Sequence, residues 1–119
     1  MLSTLVIGAS SNPERYAYKA IVSLRSHGHT VIAISKQEGE VMGVRFQKPF
    51  PKLAAIDTVT LYINATHQKN YYDFLLNLKP RRVIFNPGTE NEELEALLKL
   101  NDIEPVMACT LVMLSIGVY

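Results

Sequence analysis

Leu5–Lys19 reads LVIGASSNPERYAYK, and the fold turns on how this stretch is parsed. An apolar run meets a glycine, two serines and Asn-Pro. A segment follows in which Ala17, Ala20, Ile21 and Leu24 recur at i, i+3, i+4 and i+7, the spacing of one helix face. Gly28 stands where a helix of that register needs a left-handed residue to stop. The stretch is therefore a strand (Thr4 to Ile7), a tight turn at Gly8 and a helix.

The same unit recurs along the chain. Val31 to Ile34 is a second apolar run, followed by a loop, SKQEGEVMG, and a small extra strand at Val44 to Phe46. The two prolines of QKPFPKLAAID mark an irregular connection. Val59 to Ile63 forms the third main strand. After Thr66 comes a helix with Tyr71, Phe74, Leu75 and Leu78 on one face, ended by Pro80. Arg82 to Phe85 is the fourth strand. A third helix carries Leu94, Leu97 and Leu98, and Thr89 with Glu92 has the Thr-x-x-Glu spacing of a capping box. EPVMA is the fifth strand, and a short apolar helix or turn closes the sequence.

Strands that alternate with helices, and that are nearly continuous in Val, Ile and Leu, require a parallel sheet covered on both faces. The expected fold class is α/β: one Rossmann-like doubly wound domain over residues 1–119, with a five-stranded sheet in order 3-2-1-4-5. No internal repeat or interdomain linker interrupts it.

The composition narrows the function. Of 119 residues, 48% are apolar, enough for a real core, and 19% are charged. Lys and Arg number 12 against 11 Asp and Glu, a net charge of +1, which gives no basic footprint for nucleic acid. Leu111 to Leu114 is far too short to cross a bilayer. The N-terminus lacks the pattern of a signal peptide, and the single cysteine, Cys109, excludes an internal disulfide. These features fit a cytoplasmic protein.

In an open parallel sheet, ligands sit beyond the carboxyl ends of the strands where the order reverses. The loop Gly8 to Arg15 lies there, with Asn86 to Glu90 as the expected opposite wall. Gly8 permits a sharp exit from the sheet. Ala9 and Ser10 are small enough for a ligand to approach the backbone, and their N–H groups, with those opening the helix, suit a pyrophosphate. Arg15 adds a planar donor. Any strand-to-helix turn uses similar residues, so the segment alone leaves a phosphate loop and a plain turn both open. It is not G-x-G-x-x-G, since Ser10 and Pro13 stand at the second and third glycine positions.

The exit of the second strand discriminates further. NAD-selecting domains present an acid there, whereas this sequence has Ser35 and Lys36. A lysine favours an additional phosphate on the ribose, which both NADP and coenzyme A carry.

Together, VIGASSNPERYAYKA, VIAISKQEGEVMG and VIFNPGTENEEL resemble the small bacterial CoA-binding proteins, whose single domain is similar to the CoA-binding domain of succinyl-CoA synthetase. The resemblance runs from about Thr4 to Tyr119. It implies coenzyme A or acyl-CoA as ligand. It places Gly8, Ala9 and Ser10 at the pyrophosphate, with Asn12, Arg15 and Tyr18 flanking it or shaping the loop. It places Ser35 and Lys36 by the adenosine and its phosphorylated ribose, and Asn64 to Thr66 at the border of the nucleotide. Asn86, Pro87 and Gly88 form the wall toward the pantetheine arm. Position 17 is Ala where relatives often carry Ser, so no hydroxyl contact is assigned there.

No catalytic or metal set emerges. His27, His29 and His67 lack partners at ligand spacing, and the glutamates of ENEELEALLK read as a solvated helix face. Cys109 reads as a space-filling residue, with a mixed disulfide to CoA as the reactive alternative. Tyr16 is left open between ligand contact and half-buried helix residue. The expectation is a non-catalytic module that senses, stores or carries acyl-CoA. The alternatives are a subunit of an acyl-CoA synthetase-like enzyme needing a partner, and an NADP-binding module. The apolar end, Leu111 to Tyr119, packs on its own sheet or on a second copy, which keeps a homodimer open.

Overall fold

The structure, a computed structural model, describes residues 2–119. Its main sheet contains β1 (Ser3–Ile7), β2 (Thr30–Ile34), β5 (Thr58–Leu61), β6 (Arg82–Phe85) and β7 (Glu104–Met107), all parallel, in the order β2-β1-β5-β6-β7. The helices are α1 (Tyr16–Ser26), α2 (Ala65–Gln68), α3 (Tyr72–Leu78), α4 (Glu92–Leu100) and α5 (Thr110–Ser115), with a 3-10 turn at Lys69–Tyr71. A two-stranded antiparallel hairpin, β3 (Glu40–Val41) and β4 (Val44–Arg45), forms a separate sheet whose Val41 and Val44 are buried in the core on the α1 side. No helix among the described residues is long and apolar enough to cross a membrane.

The Rossmann-like class stands, but one strand changes place. Val59 to Ile63, counted as third, was expected at the outer edge beside the second strand. Instead β5 sits between β1 and β6. The outer position beside β2 is held by a single parallel bridge, Ile34 to Gln47, in which Gln47 donates to Ala33 O at 2.8 Å and accepts from Ser35 N at 3.1 Å. With Gln47 counted as the third rung, the order is 3-2-1-4-5 with a sixth strand beyond. The rung is too short to leave a periodic signal, so the next strand took its number. The physical reason β5 is central is burial: all four of its residues are buried, as a strand covered on both faces must be.

Side chains alternate across the sheet. Leu5, Ile7, Val59, Leu61, Val83 and Phe85 face one layer, where they pack with Leu75, Leu94 and Leu98 of α3 and α4. Leu53 and Ile56, from the irregular connection before β5, pack into the same layer. On the other face, Val6, Val31 and Ala33 meet Ile21 and Leu24 of α1 and Leu114 of α5. Ala17, Ala20, Ile21 and Leu24 are the buried residues of α1, as their spacing requires; burying a side chain such as Ile21 or Leu24 stabilises by roughly 1.5–3 kcal/mol.

Helix ends differ in detail from the sequence pattern. Asn91, rather than Thr89, caps α4: its Oδ1 accepts from Leu94 N at 3.1 Å. Thr89 is buried and donates to Asn86 O at 2.8 Å. The segment after Thr66 is one apolar face carried by three short helical pieces, with Tyr71 and Leu75 buried. Lys79, at φ 52°, ends it before Pro80.

Candidate functional site

A cleft of about 740 Å³ opens at the carboxyl ends of β2, β1, β5 and β6. One wall is the loop after β1 with the start of α1: Gly8, Ala9, Ser10, Arg15, Tyr16 and Ala17. Ile34, Ser35, Lys36 and Gln37 continue it from β2. The opposite side comes from Tyr62, Ile63, Asn64, His67 and Tyr71 after β5, and from Pro87, Gly88 and Thr89 after β6. Because β5 is the neighbour of β1, its exit loop forms the near wall and the β6 loop lies one strand farther out.

Gly8 is constrained twice. Its φ is +93°, and a Cβ there would lie 2.8 Å from Ile63 Cγ2 and 3.0 Å from the Tyr62 carbonyl carbon. The close approach of the two loops depends on its lacking a side chain. Gly8 N and Ala9 N both donate to Ile34 O, at 3.1 and 3.0 Å. This corrects the expectation that the Ala9 amide faces a phosphate, because the β2 carbonyl already holds it. Ala9 is also buried.

The unengaged donors begin one residue later. Among the described residues, the amides of Ser10 and Ser11 have no acceptor, nor do those of Tyr16, Ala17 and Tyr18 at the start of α1. No side chain caps this helix, whose N-cap residue is Arg15. Asn12 and Pro13 form a turn in front of the helix. Asn12 Oδ1 accepts from Glu14 N, Asn12 O accepts from Arg15 N, and Asn12 N donates to Ser10 Oγ. Asn12 therefore shapes the loop and does not line the cleft. The consequence is an 11-residue helix whose positive end is left to the cleft.

Of the other expected site residues, Ser35, Lys36, Asn64, Pro87 and Gly88 line the cleft with Gly8, Ala9, Ser10 and Arg15. Ser35 Oγ accepts from Gln37 N, and Asn64 caps α2 by accepting from His67 N. Tyr18 and Asn86 do not line it. Tyr18 packs on the α1 side of the core. Asn86 is buried beneath the wall, with Nδ2 donating to Thr60 Oγ1 and Leu61 O and Oδ1 accepting from Thr110 N, so its hydrogen-bonding groups are spent on the fold.

Tyr62, Ile63, His67, Tyr71 and Thr89 are wall residues that the sequence did not mark as such. Tyr71 had only its helix-face spacing, which reads as core, and His67 was marked only as a histidine without metal-ligand partners at the right spacing. Burial, the largest cause, pushes the Tyr62 phenol up to about 12, against the hydroxyls of Thr60 and Thr110, so the ring is a neutral wall at physiological pH. Behind the two loops lies Gln68, fully buried. Its Nε2 donates to Ile63 O at 2.9 Å and Thr89 O at 2.7 Å, and its Oε1 accepts from Asn91 Nδ2 at 2.9 Å. It ties the β5 wall to the β6 wall. Nothing in the sequence pattern distinguishes this glutamine from a surface one.

Among the described residues, no group of three or more His, Cys, Asp or Glu could hold a metal ion. Cys109 is half-buried at the N-cap of α5 and lies outside the cleft lining.

An open parallel sheet with a cationic, amide-rich cleft at its carboxyl end defines a Rossmann-like binding domain. Residues 3–115 match the family model of the CoA binding domain, and the chain belongs to that family. Among solved structures, it is 53% identical to an uncharacterized protein, covering 100% of this chain and 98% of that one with a TM-score of 0.97. A Thermus thermophilus protein, cell-free ID.343, is 22% identical over 99% of this chain and 90% of its own, with a TM-score of 0.87. The dinucleotide forming acetyl-coenzyme A synthetase 1 of Ca. Korarchaeum cryptofilum, solved with phosphate and ADP, is 19% identical. That match covers 89% of this chain but 25% of the enzyme, with a TM-score of 0.71. The last two likenesses show a shared fold. None of the curated proteins compared with the chain matches it.

Proposed function

We propose that the cleft binds coenzyme A or an acyl-CoA, and that the chain acts as a non-catalytic binding module. The observation that carries this reading is the uncapped start of α1. In a chain of the CoA-binding family, the amides of Ser10, Tyr16 and Ala17 are without acceptors at a cleft edged by Arg15 and Lys36, and those of Ser11 and Tyr18 are without acceptors next to them in the chain. Backbone donors, a helix dipole and two cations suit a diphosphate. Ser10 and the helix start take the role first given to Gly8 and Ala9, which act by allowing close approach. Lys36 pairs with the phosphate on the ribose, and Pro87 and Gly88 border the pantetheine arm.

The fold shared with an acetyl-coenzyme A synthetase favours one second reading, that the chain works as the CoA-holding part of a larger enzyme with a separate partner. Copurification with an acyl-CoA ligase subunit, and CoA-dependent activity of the mixture alone, would support it.

Isothermal titration calorimetry with CoA, dephospho-CoA and NADP tests the main reading. The expected order is CoA tightest, dephospho-CoA weaker by the contribution of Lys36, and NADP weakest. Equal binding of CoA and dephospho-CoA would remove the role of Lys36, and tightest binding of NADP would replace the ligand.

A further inference from the structure

Three tyrosines line the cleft, and two are fixed in place. Tyr62 is half-buried and packs on the α1 side of the core. Tyr71 is 7% exposed, with Phe50 and Phe74 against its ring at centroid distances of 5.0 and 6.2 Å. Tyr16 differs. It lines the cleft and leaves 67% of its surface to solvent. The Lys19 ammonium lies 5.3 Å from its ring centroid. Among the described residues, no other ring packs on it.

An aromatic with a cation on its ring and no aromatic partner is a surface suited to a flat, electron-rich ring, because every nucleobase presents a π-face. Tyr16 is also the first residue of α1, adjacent to Arg15 and to the amides without acceptors. A base stacked there would be linked through its ribose to phosphates held at the same helix end. On the reading of the cleft as a CoA site, we propose that Tyr16 is the stacking platform for the purine of the bound nucleotide, with Lys19 backing the ring. The side chain thus selects for the nucleotide half of the ligand, not for its thiol arm.

Three ligands separate the possibilities: CoA, 3′,5′-ADP, which keeps the base, and 4′-phosphopantetheine, which lacks it. Tyr16→Ala should bind CoA and 3′,5′-ADP about ten-fold more weakly, with 4′-phosphopantetheine unaffected and the melting temperature unchanged. Tyr16→Phe, which keeps the ring, should restore binding. The loss of adenine absorbance near 260 nm that accompanies stacking should appear with wild-type protein and vanish in Tyr16→Ala. Unchanged binding of 3′,5′-ADP by Tyr16→Ala would overturn the proposal. Equal losses for all three ligands would also overturn it, by making Tyr16 a residue that shapes the loop. If wild-type protein binds CoA while Tyr16→Ala does so equally well, the cleft reading survives and only the stacking fails. If wild-type protein binds none of the three, the cleft reading itself falls.

Discussion

The two ends of the sheet are built from similar residues to opposite effect. At the carboxyl end, loops after β1, β2, β5 and β6 part around a cleft, and backbone donors are left without acceptors. At the amino end, Thr4, Thr58 and Arg82 are buried under the tail. Arg82 Nε donates to Thr58 Oγ1, and the Tyr119 ring covers its guanidinium at 4.6 Å while the Tyr119 hydroxyl meets Thr4 Oγ1. Gly117, at φ +75°, turns the chain back after α5, with Val118 N on Met113 O. Asp57 is paired by Arg81 at 2.9 and 3.1 Å. A cation at the open end can recruit a ligand; the cation at the closed end is folded into the structure. Position on the sheet, more than residue type, separates binding from stability.

This contrast predicts which substitutions change stability, which change affinity, and which change both. The largest effect belongs to Gly8→Val, where a side chain would meet Ile63 and Tyr62 at a left-handed φ. Strain and overpacking together should cost about 3 kcal/mol, read by urea denaturation, and CoA binding should be lost with it. Tyr119→Ala should cost about 2 kcal/mol, since a half-buried ring is removed, yet leave the affinity for CoA as in wild type. A parallel loss of affinity would show that the ends are coupled through α5. Lys36→Gln should do the reverse. Its exposed side chain should change stability by less than about 0.5 kcal/mol, while binding of CoA weakens roughly five-fold, about 1 kcal/mol, and binding of dephospho-CoA does not.

The smallest effect is a pH dependence confined to the closed end. Burial, the largest cause, holds His29 below its ordinary 6.5. A histidine with a lowered folded value contributes stability above pH 6.5 and loses it as pH falls through that lowered value. Asp57 is held below 3.8, first by its hydrogen bond from Arg81. Its contribution is full above that value and fades as pH drops through the folded one. Both groups are partly solvated, so the slopes should be shallow. In denaturation curves collected from pH 7 down to about 2, His29→Gln should abolish the decline that begins near 6.5 and leave the Asp57 decline, which lies below 3.8, in place.

Much of the open end was legible in the sequence because it is written in local residues. Gly8, the small Ala9 and Ser10, Arg15 and Lys36 follow one another along two strand exits, and the helix spacing of Ala17, Ala20, Ile21 and Leu24 appears intact in the structure. What stayed hidden is nonlocal. The Ile34 carbonyl that takes the Gly8 and Ala9 amides belongs to β2, and no feature of the first loop announces it. Asn86 looked like a ligand residue because it precedes Pro87 and Gly88, yet three long-range hydrogen bonds hold it under the wall. Gln68 joins Ile63 to Thr89, a contact visible only after β5 and β6 are paired. The edge place of Gln47 rests on a single bridge, below the length at which periodicity speaks.

The most direct measurement is hydrogen–deuterium exchange with and without CoA, read by peptide along the chain. The account predicts slowed exchange in residues 10–18, 35–37, 62–67 and 87–89, with residues 2–4, 57–58 and 117–119 exchanging as before. Protection at the amino end of the sheet, or none in residues 10–18 under saturating CoA, would contradict it.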